Sequence, residues 1–152
     1  MFMDADLVFS DAQAVTATAA STNYYDTGPL FTGNTGRNIG VSSEIYFSTT
    51  VDVAMTDSSS DSTITVTVET DDNTSFSSAS TVATLYVIPA ITAAGAKFFA
   101  KVPIGGGVPF ERYIQIKYTT TNGNLTTGSF TTAIVKNIDN WTSYASGYST
   151  GV

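Results

Sequence analysis

Two stretches, EIYFSTTVDVAM from Glu44 to Met55 and STITVTVET from Ser62 to Thr70, decide the fold. In the first, Ile45, Phe47, Val51 and Val53 fall on one side of an extended chain, and Glu44, Tyr46, Ser48 and Asp52 fall on the other. In the second, Ile64, Val66 and Val68 alternate with Thr63, Thr65, Thr67 and Glu69. A period of two is the signature of a strand with one face buried and one face wet. The polar run Asp57 to Asp61 between them suits a hairpin or a short arch.

Working outward, Thr81 to Ile88 reads as a third strand that stops at Pro89. Lys97 to Ile104 follows, with Phe98, Ala100, Val102 and Ile104 on one side, and Pro103 marks an edge or a strand end. Arg112 to Thr121 puts Ile114, Ile116 and Tyr118 on one face and Gln115 and Lys117 on the other. The dipeptide Asn122-Gly123 tolerates the positive φ angles of a tight turn, so Ser129 to Ile138 is expected to return as its hairpin partner. Apolar residues fall on both faces of that last strand, as in one covered on both sides. Gln13 to Ala19 and Asn23 to Asp26 add two short strands, and only Ala90 to Ala96 has a helical cast, too short to matter. The spacing predicts an all-β, single-domain antiparallel jelly roll or β-sandwich of about eight strands, spanning residues 1–152.

The ends break this pattern. Met1 to Asp11 holds Phe2, Met3, Leu7, Val8 and Phe9 among acids, and Asp139 to Val152 holds Trp141, Tyr144 and Tyr148 among Ser, Thr and Gly. Both read as extended arms. Ordering the C-terminal arm needs hydrogen bonds, packing on its own sandwich or a partner, because fixing its backbone opposes what three aromatics gain.

Composition narrows the function. The chain has no histidine and no cysteine, which removes the groups that most often titrate or ligate near neutral pH. Only 12% of its residues are charged, so hydroxyl and amide side chains must make much of its surface. Its net charge of −7, from 13 acids against 6 bases, argues against a nucleic-acid partner. Arg37 is the only base before Lys97, whereas Lys97, Lys101, Arg112, Lys117 and Lys136 crowd the last third. Acids occupy the first residues where a secretory signal carries bases, and no apolar run approaches a membrane span of roughly 18 residues. A soluble, unprocessed protein made in a reducing cytoplasm is expected, with no membrane partner.

Carboxylates are the remaining catalytic candidates. Asp71-Asp72 and the pair Asp57 and Asp61 are the visible groupings, but neighbours in a strand point apart and Ser-rich acidic loops are usually solvated turns. The same groups lack the spacing of a calcium loop. Gly105 to Gly107 is followed by no Lys-Ser/Thr and opens no helix, so it is a loop and not a phosphate cradle. No catalytic residue, metal ligand or cofactor is expected. Tyr24, Tyr25, Tyr46 and Trp141 have the chemistry to stack on sugar rings, although tyrosine in strands more often packs across them.

The stretch FSDAQAVTATAAST, Phe9 to Thr22, with the Asp26-Thr27-Gly28 turn after it, resembles the opening of the Bbp16-like capsid cement proteins of tailed bacteriophages. ERYIQIKYT, Glu111 to Thr119, and the closing Asp139-Asn140-Trp141 with Tyr144 and Gly147 are similar to that family's last third. The resemblance implies a jelly-roll homotrimer that sits on the outer surface of a phage head and staples major capsid protein subunits. In that picture Phe2, Leu7, Phe9, Tyr24, Tyr25, Trp141, Tyr144 and Tyr148 are the expected contacts with the capsid or with a second copy. The alternative is a virion-surface receptor- or carbohydrate-binding module.

Overall fold

A computed structural model describes residues 2–28, 45–101, 107–136 and 138. Two antiparallel sheets face one another. The first runs in the order β1 (Phe2–Ala14), β9 (Thr127–Lys136), β4 (Ile45–Thr56) and β7 (Lys97–Lys101). The second has β8 (Tyr113–Thr121) beside β5 (Thr63–Asp71), which in turn pairs with β6 (Ser80–Ile88). The short strands β2 (Ala19–Ala20) and β3 (Tyr25–Asp26) both pair with the other edge of β8, acting as one interrupted strand. Apart from the β5–β6 hairpin and the break between β2 and β3, each connection joins strands of different sheets, which is the jelly-roll path.

The alternation read from the sequence sets which face is inside. Ile64, Val66 and Val68 on β5 and Ile114, Ile116 and Tyr118 on β8 are fully buried, while Thr63, Thr65, Thr67 and Lys117 line the outer face. On β4 the pattern holds for Phe47 and Val51 but fails at Val53, which is 51% exposed. Register shifts on both sides of Val53 make a bulge there. The β6–β7 loop satisfies the backbone around it: Val51 N–H donates to Ala96 O, Gly95 N–H to Val51 O and Met55 N–H to Thr92 O.

Of the two readings open for the run Asp57 to Asp61, the structure has the arch, which carries the chain from β4 in one sheet to β5 in the other. Two expectations need correction. Asn122 (φ 66°) and Gly123 (φ 118°) do take up the positive φ angles that the dipeptide favours, but β8 and β9 do not form a hairpin. Both edges of β8 are taken by β5 and by β2 and β3, and both edges of β9 by β1 and β4, so neither strand can take the other. The connection instead crosses the end of the sandwich, with Leu125 buried as a plug and its N–H donated to Thr16 O. Gly128 sits close beside that plug: a Cβ there would lie 3.1 Å from Leu125 Cδ1, so Leu125 would have to give by a few tenths of an ångström.

The N-terminal segment is the second correction. It is a sheet strand, β1, paired antiparallel with β9 from Phe2 opposite Lys136 to Ala14 opposite Ser129. Three register shifts along it, with Ala12 at φ 44°, scramble the period of two that would have revealed a strand. The strand expected over Gln13 to Ala19 is therefore divided: the chain leaves β1 at Ala14, bends and resumes as β2 at Ala19.

Aromatic pairs fill the space between the sheets. Phe9 lies 6.0 Å from Phe47, Tyr118 stacks on Phe130 at 5.7 Å and Tyr86 stacks on Phe98 at 5.7 Å. Among these rings runs a line of hydroxyl groups. Tyr86 OH contacts Thr49 Oγ1 at 2.7 Å, Thr49 contacts Thr132 Oγ1 at 2.6 Å, and Thr132 contacts Tyr118 OH at 2.7 Å. Tyr118 OH continues to Ser10 Oγ at 2.9 Å, and Ser10 to Gln13 Oε1 at 2.7 Å.

Proton counting gives this line one direction. Gln13 Oε1 can only accept, so Ser10 donates to it and must itself accept from Tyr118. Tyr118 has a single proton, now used, so Thr132 donates to Tyr118, Thr49 to Thr132 and Tyr86 to Thr49. The Gln13 amide is oriented by donating Nε2–H to Ala20 O and accepting Thr22 N–H. Every hydroxyl then gives one hydrogen bond and receives one, except Tyr86 at the head. Burial pushes both phenols above their ordinary value of 10.0, and the hydrogen bonds only partly offset it. A raised phenol keeps its full contribution to stability below pH 10 and loses it as pH climbs toward the folded value.

Tyr118→Phe is expected to lower the unfolding free energy by about 1–3 kcal/mol, since it strands Ser10 and Thr132 in the core. Combined with Thr132→Val in a urea-unfolding double-mutant cycle, it should show a coupling of at least about 0.5 kcal/mol. Strictly additive losses would mean that the hydroxyls act separately.

Candidate interaction surfaces

The residues singled out from the sequence divide between inside and outside. Phe9 is 1% exposed and belongs to the core, and Leu7 and Tyr25 pack against that core. Phe9 is thus an interior residue, and Leu7 and Tyr25 are half-buried against it. Phe2 contributes its backbone to the end of β1, opposite Lys136. Trp141, Tyr144 and Tyr148 lie outside the described residues. Among the described side chains of the group, Tyr24 is the large exposed aromatic, at 47%.

Tyr24 stands at a corner of the second sheet, beside β3. Its ring meets Tyr113 edge-on at 5.5 Å and Phe76 at 6.0 Å. Tyr113 opens β8 and pairs across the sheet with Asp26 on one side and Asp71 on the other. Next to it, Arg112 lies over the Tyr113 ring at 5.0 Å and grips Asp26 with two hydrogen bonds of 2.9 Å. That bidentate bond holds the guanidinium still more firmly charged, with burial opposing it. The pair is exposed on both sides, so it fixes the orientation of Arg112 more than it stabilises the fold. Thr27 fastens the same corner by donating its N–H and Oγ1–H to Arg112 O.

Phe76 reaches Tyr24 from the β5–β6 hairpin loop and adopts φ 50°, a left-handed conformation uncommon outside glycine. Asp71 builds the loop that holds it there. Asp71 is fully buried; its Oδ1 accepts from Asn73 N–H at 3.2 Å and Asn73 Nδ2 at 2.8 Å, and its Oδ2 accepts from Ser78 N–H at 2.9 Å. Burial works against charge on this carboxyl, but the hydrogen bonds from Ser78 and Asn73 outweigh it and hold the group below its usual range. Asp72 and Glu111 bring their oxygens within 4.8 Å of Asp71, a grouping of hard ligands. Because both Asp71 oxygens already receive donors from the loop, its role there is to cap the hairpin. Asp57 does similar work in the β4–β5 arch, where Ser62 and Asp61 donate to it and depress its pKa.

Sequence reading marked Tyr24 and the two acidic groupings but missed Phe76, Arg112 and Tyr113 as their neighbours. Asp26 and Arg112 are 86 residues apart and meet only because β3 pairs with β8. No local spacing carries that signal. No helix among the described residues is long and apolar enough to cross a membrane.

The Bbp16 family model matches residues 9–134, from the middle of β1 almost to the end of β9. The aromatic tail motif, Asp139 to Gly147, falls beyond the matched residues. No curated protein matches the chain.

Two measurements separate the roles assigned here. Phe9→Ala should cost about 3–5 kcal/mol of stability, while Tyr24→Ala should change it by about 1 kcal/mol or less. Because the Asp71 carboxyl is lowered in the folded state, its contribution is fully present above its ordinary pKa of 3.8 and disappears as pH falls through the lower folded value. Asp71→Asn should therefore lower the unfolding temperature at neutral pH and flatten the loss of stability in acid. An unchanged acid profile in the variant would show that Asp71 does not cap the loop.

Proposed function

The chain belongs to the Bbp16 family, a phage-related one, and from that membership and its jelly-roll topology we propose that it is a non-enzymatic structural virion protein, a capsid cement. It binds the outside of the phage head between major capsid protein subunits and stabilises the shell. The family match across residues 9–134 is the observation that carries this reading. What supports it further is the character of the molecule: a rigid sandwich with a hydroxyl-bonded core, low surface charge and a corner of oriented aromatic and arginine side chains. Tyrosine and arginine are the residues that most often anchor protein contacts. Many weak contacts repeated by shell symmetry give large total strength without any catalytic group. The protein is made in the host cytoplasm and acts on the virion surface, with itself, as a homotrimer, and the major capsid protein as partners. The C-terminal aromatics Trp141, Tyr144 and Tyr148 are proposed to add contacts at a subunit junction.

Purified protein added to shells that lack it should bind at saturating occupancy and raise their resistance to heat or osmotic shock. Deleting Asp139 to Val152 should leave a folded domain with reduced occupancy. Binding to glycans by the isolated protein, with no gain in shell resistance, would replace this reading with that of a receptor-binding module.

A further inference from the structure

Asn122-Gly123 is the single Asn-Gly pair in the chain, and both residues lie exposed just past the end of β8. Asn122 sits at φ 66° and Gly123 at φ 118°. The backbone N–H of Gly123 donates to no group among the described residues. The Asn122 amide is held by one hydrogen bond, from Nδ2 to Asp61 O at 3.3 Å, which is long for an amide donor. The other described asparagines differ. Asn23 precedes Tyr24 and Asn73 precedes Thr74, whose side chains crowd the following nitrogen. Asn73 is also tied through both ends of its amide, with Nδ2 donating to Asp71 and Oδ1 accepting from Ser75 N–H. Asn124 precedes Leu125, whose N–H is already given to Thr16 O.

We infer that Asn122 is a site of spontaneous covalent modification, deamidating through a cyclic imide in the folded protein. Hydroxide removes the Gly123 amide proton, and that nitrogen attacks Cγ of Asn122. The N–Cγ bond forms as the Cγ–Nδ2 bond breaks, and ammonia leaves. Water then opens the succinimide ring. Attack at the former side-chain carbonyl gives aspartate; attack at the former main-chain carbonyl gives isoaspartate, whose main chain runs through Cγ. Nothing is oxidised or reduced, and one water is consumed for one ammonia released. Glycine suits the step because no Cβ shields its nitrogen and its backbone freedom lets the chain reach the ring geometry. The product undoes a tie between two crossings of the sandwich. Buried Ser62 donates its Oγ–H to Asn122 O at 3.4 Å, and Asn122 donates to Asp61 O, so the β4–β5 arch and the β8–β9 connection are held together here. Isoaspartate adds a methylene to the main chain, displaces the carbonyl that Ser62 uses and sets a carboxylate where an amide donor faced Asp61 O. The new charge joins an arch that already carries Asp57 and Asp61. The chemistry needs no partner and is independent of the role proposed above.

The experiment ages the folded full chain in mildly alkaline and mildly acidic buffer, for the time in which an unstructured peptide of the same residues, Thr119 to Leu125, converts completely. Proteolysis and mass spectrometry locate the products, and isoaspartyl methyltransferase marks isoaspartate. Asn122 should convert at least about ten times faster than Asn23, Asn73 or Asn124, faster in alkali than in acid, and give more isoaspartate than aspartate. The aged chain should unfold at a lower temperature than the fresh one. Asn122→Gln keeps an amide donor but would have to close a larger ring, so it should show neither conversion nor loss on ageing. Gly123→Ala should slow conversion at least about tenfold, with circular dichroism checking the fold because alanine is strained at that φ. An Asn122 that is still an amide at the end of the alkaline incubation, aspartate without isoaspartate, a rate indifferent to pH, or an aged chain as stable as the fresh one would overturn the inference.

Discussion

The line of hydroxyls from Tyr86 to Gln13 constrains the rest of the structure. Its members come from β6 and β8 in one sheet and from β4, β9 and β1 in the other, so it joins the two layers where apolar packing alone would let them slide. Hydrophobic contact is non-directional, but a hydrogen bond between buried groups fixes distance and angle. Each hydroxyl has one proton, and the only complete assignment runs one way. A shift of either sheet by a residue would break several bonds at once and leave polar groups in a dry core. Phe9, Phe47 and Phe130 surround this line and keep water from it.

The same constraint explains where the chain could and could not be read from its sequence. Strands β5 and β8 were legible because Ile64, Val66, Val68, Ile114 and Ile116 alternate without interruption with Thr, Gln and Lys. Strand β1 was not, since its register shifts place Phe9 and Ser10 inside in succession, a pattern that looks aperiodic on paper. Thr49, Thr132 and Ser10 resemble solvent-facing strand residues by type, and nothing local marks them as buried. The Asn122-Gly123 turn was recognised by its φ angles, but its partner strand is set by which sheet edges are already occupied. Pairing of that kind is a global property.

The surface was less legible than the core. Aromatic residues named for stickiness, Phe9 and Tyr25, serve the interior, and the exposed corner arises from residues far apart in the chain that a strand pairing brings together: Tyr24, Phe76, Tyr113 and the Arg112–Asp26 pair. The corner is rigid because Asp71 and Thr27 tie its loops to strands. Side chains held in place before contact lose less freedom when a partner arrives. A sandwich with oriented anchors at one corner suits a protein proposed to act through repeated contacts.

The most direct test of that proposal is to locate the protein on the particle. Cryo-electron microscopy of phage heads assembled with the full chain should show jelly-roll density on the outer surface, lying across boundaries between major capsid protein subunits. Density confined to the head interior, or to tail or fibre structures with a bare shell, would contradict it.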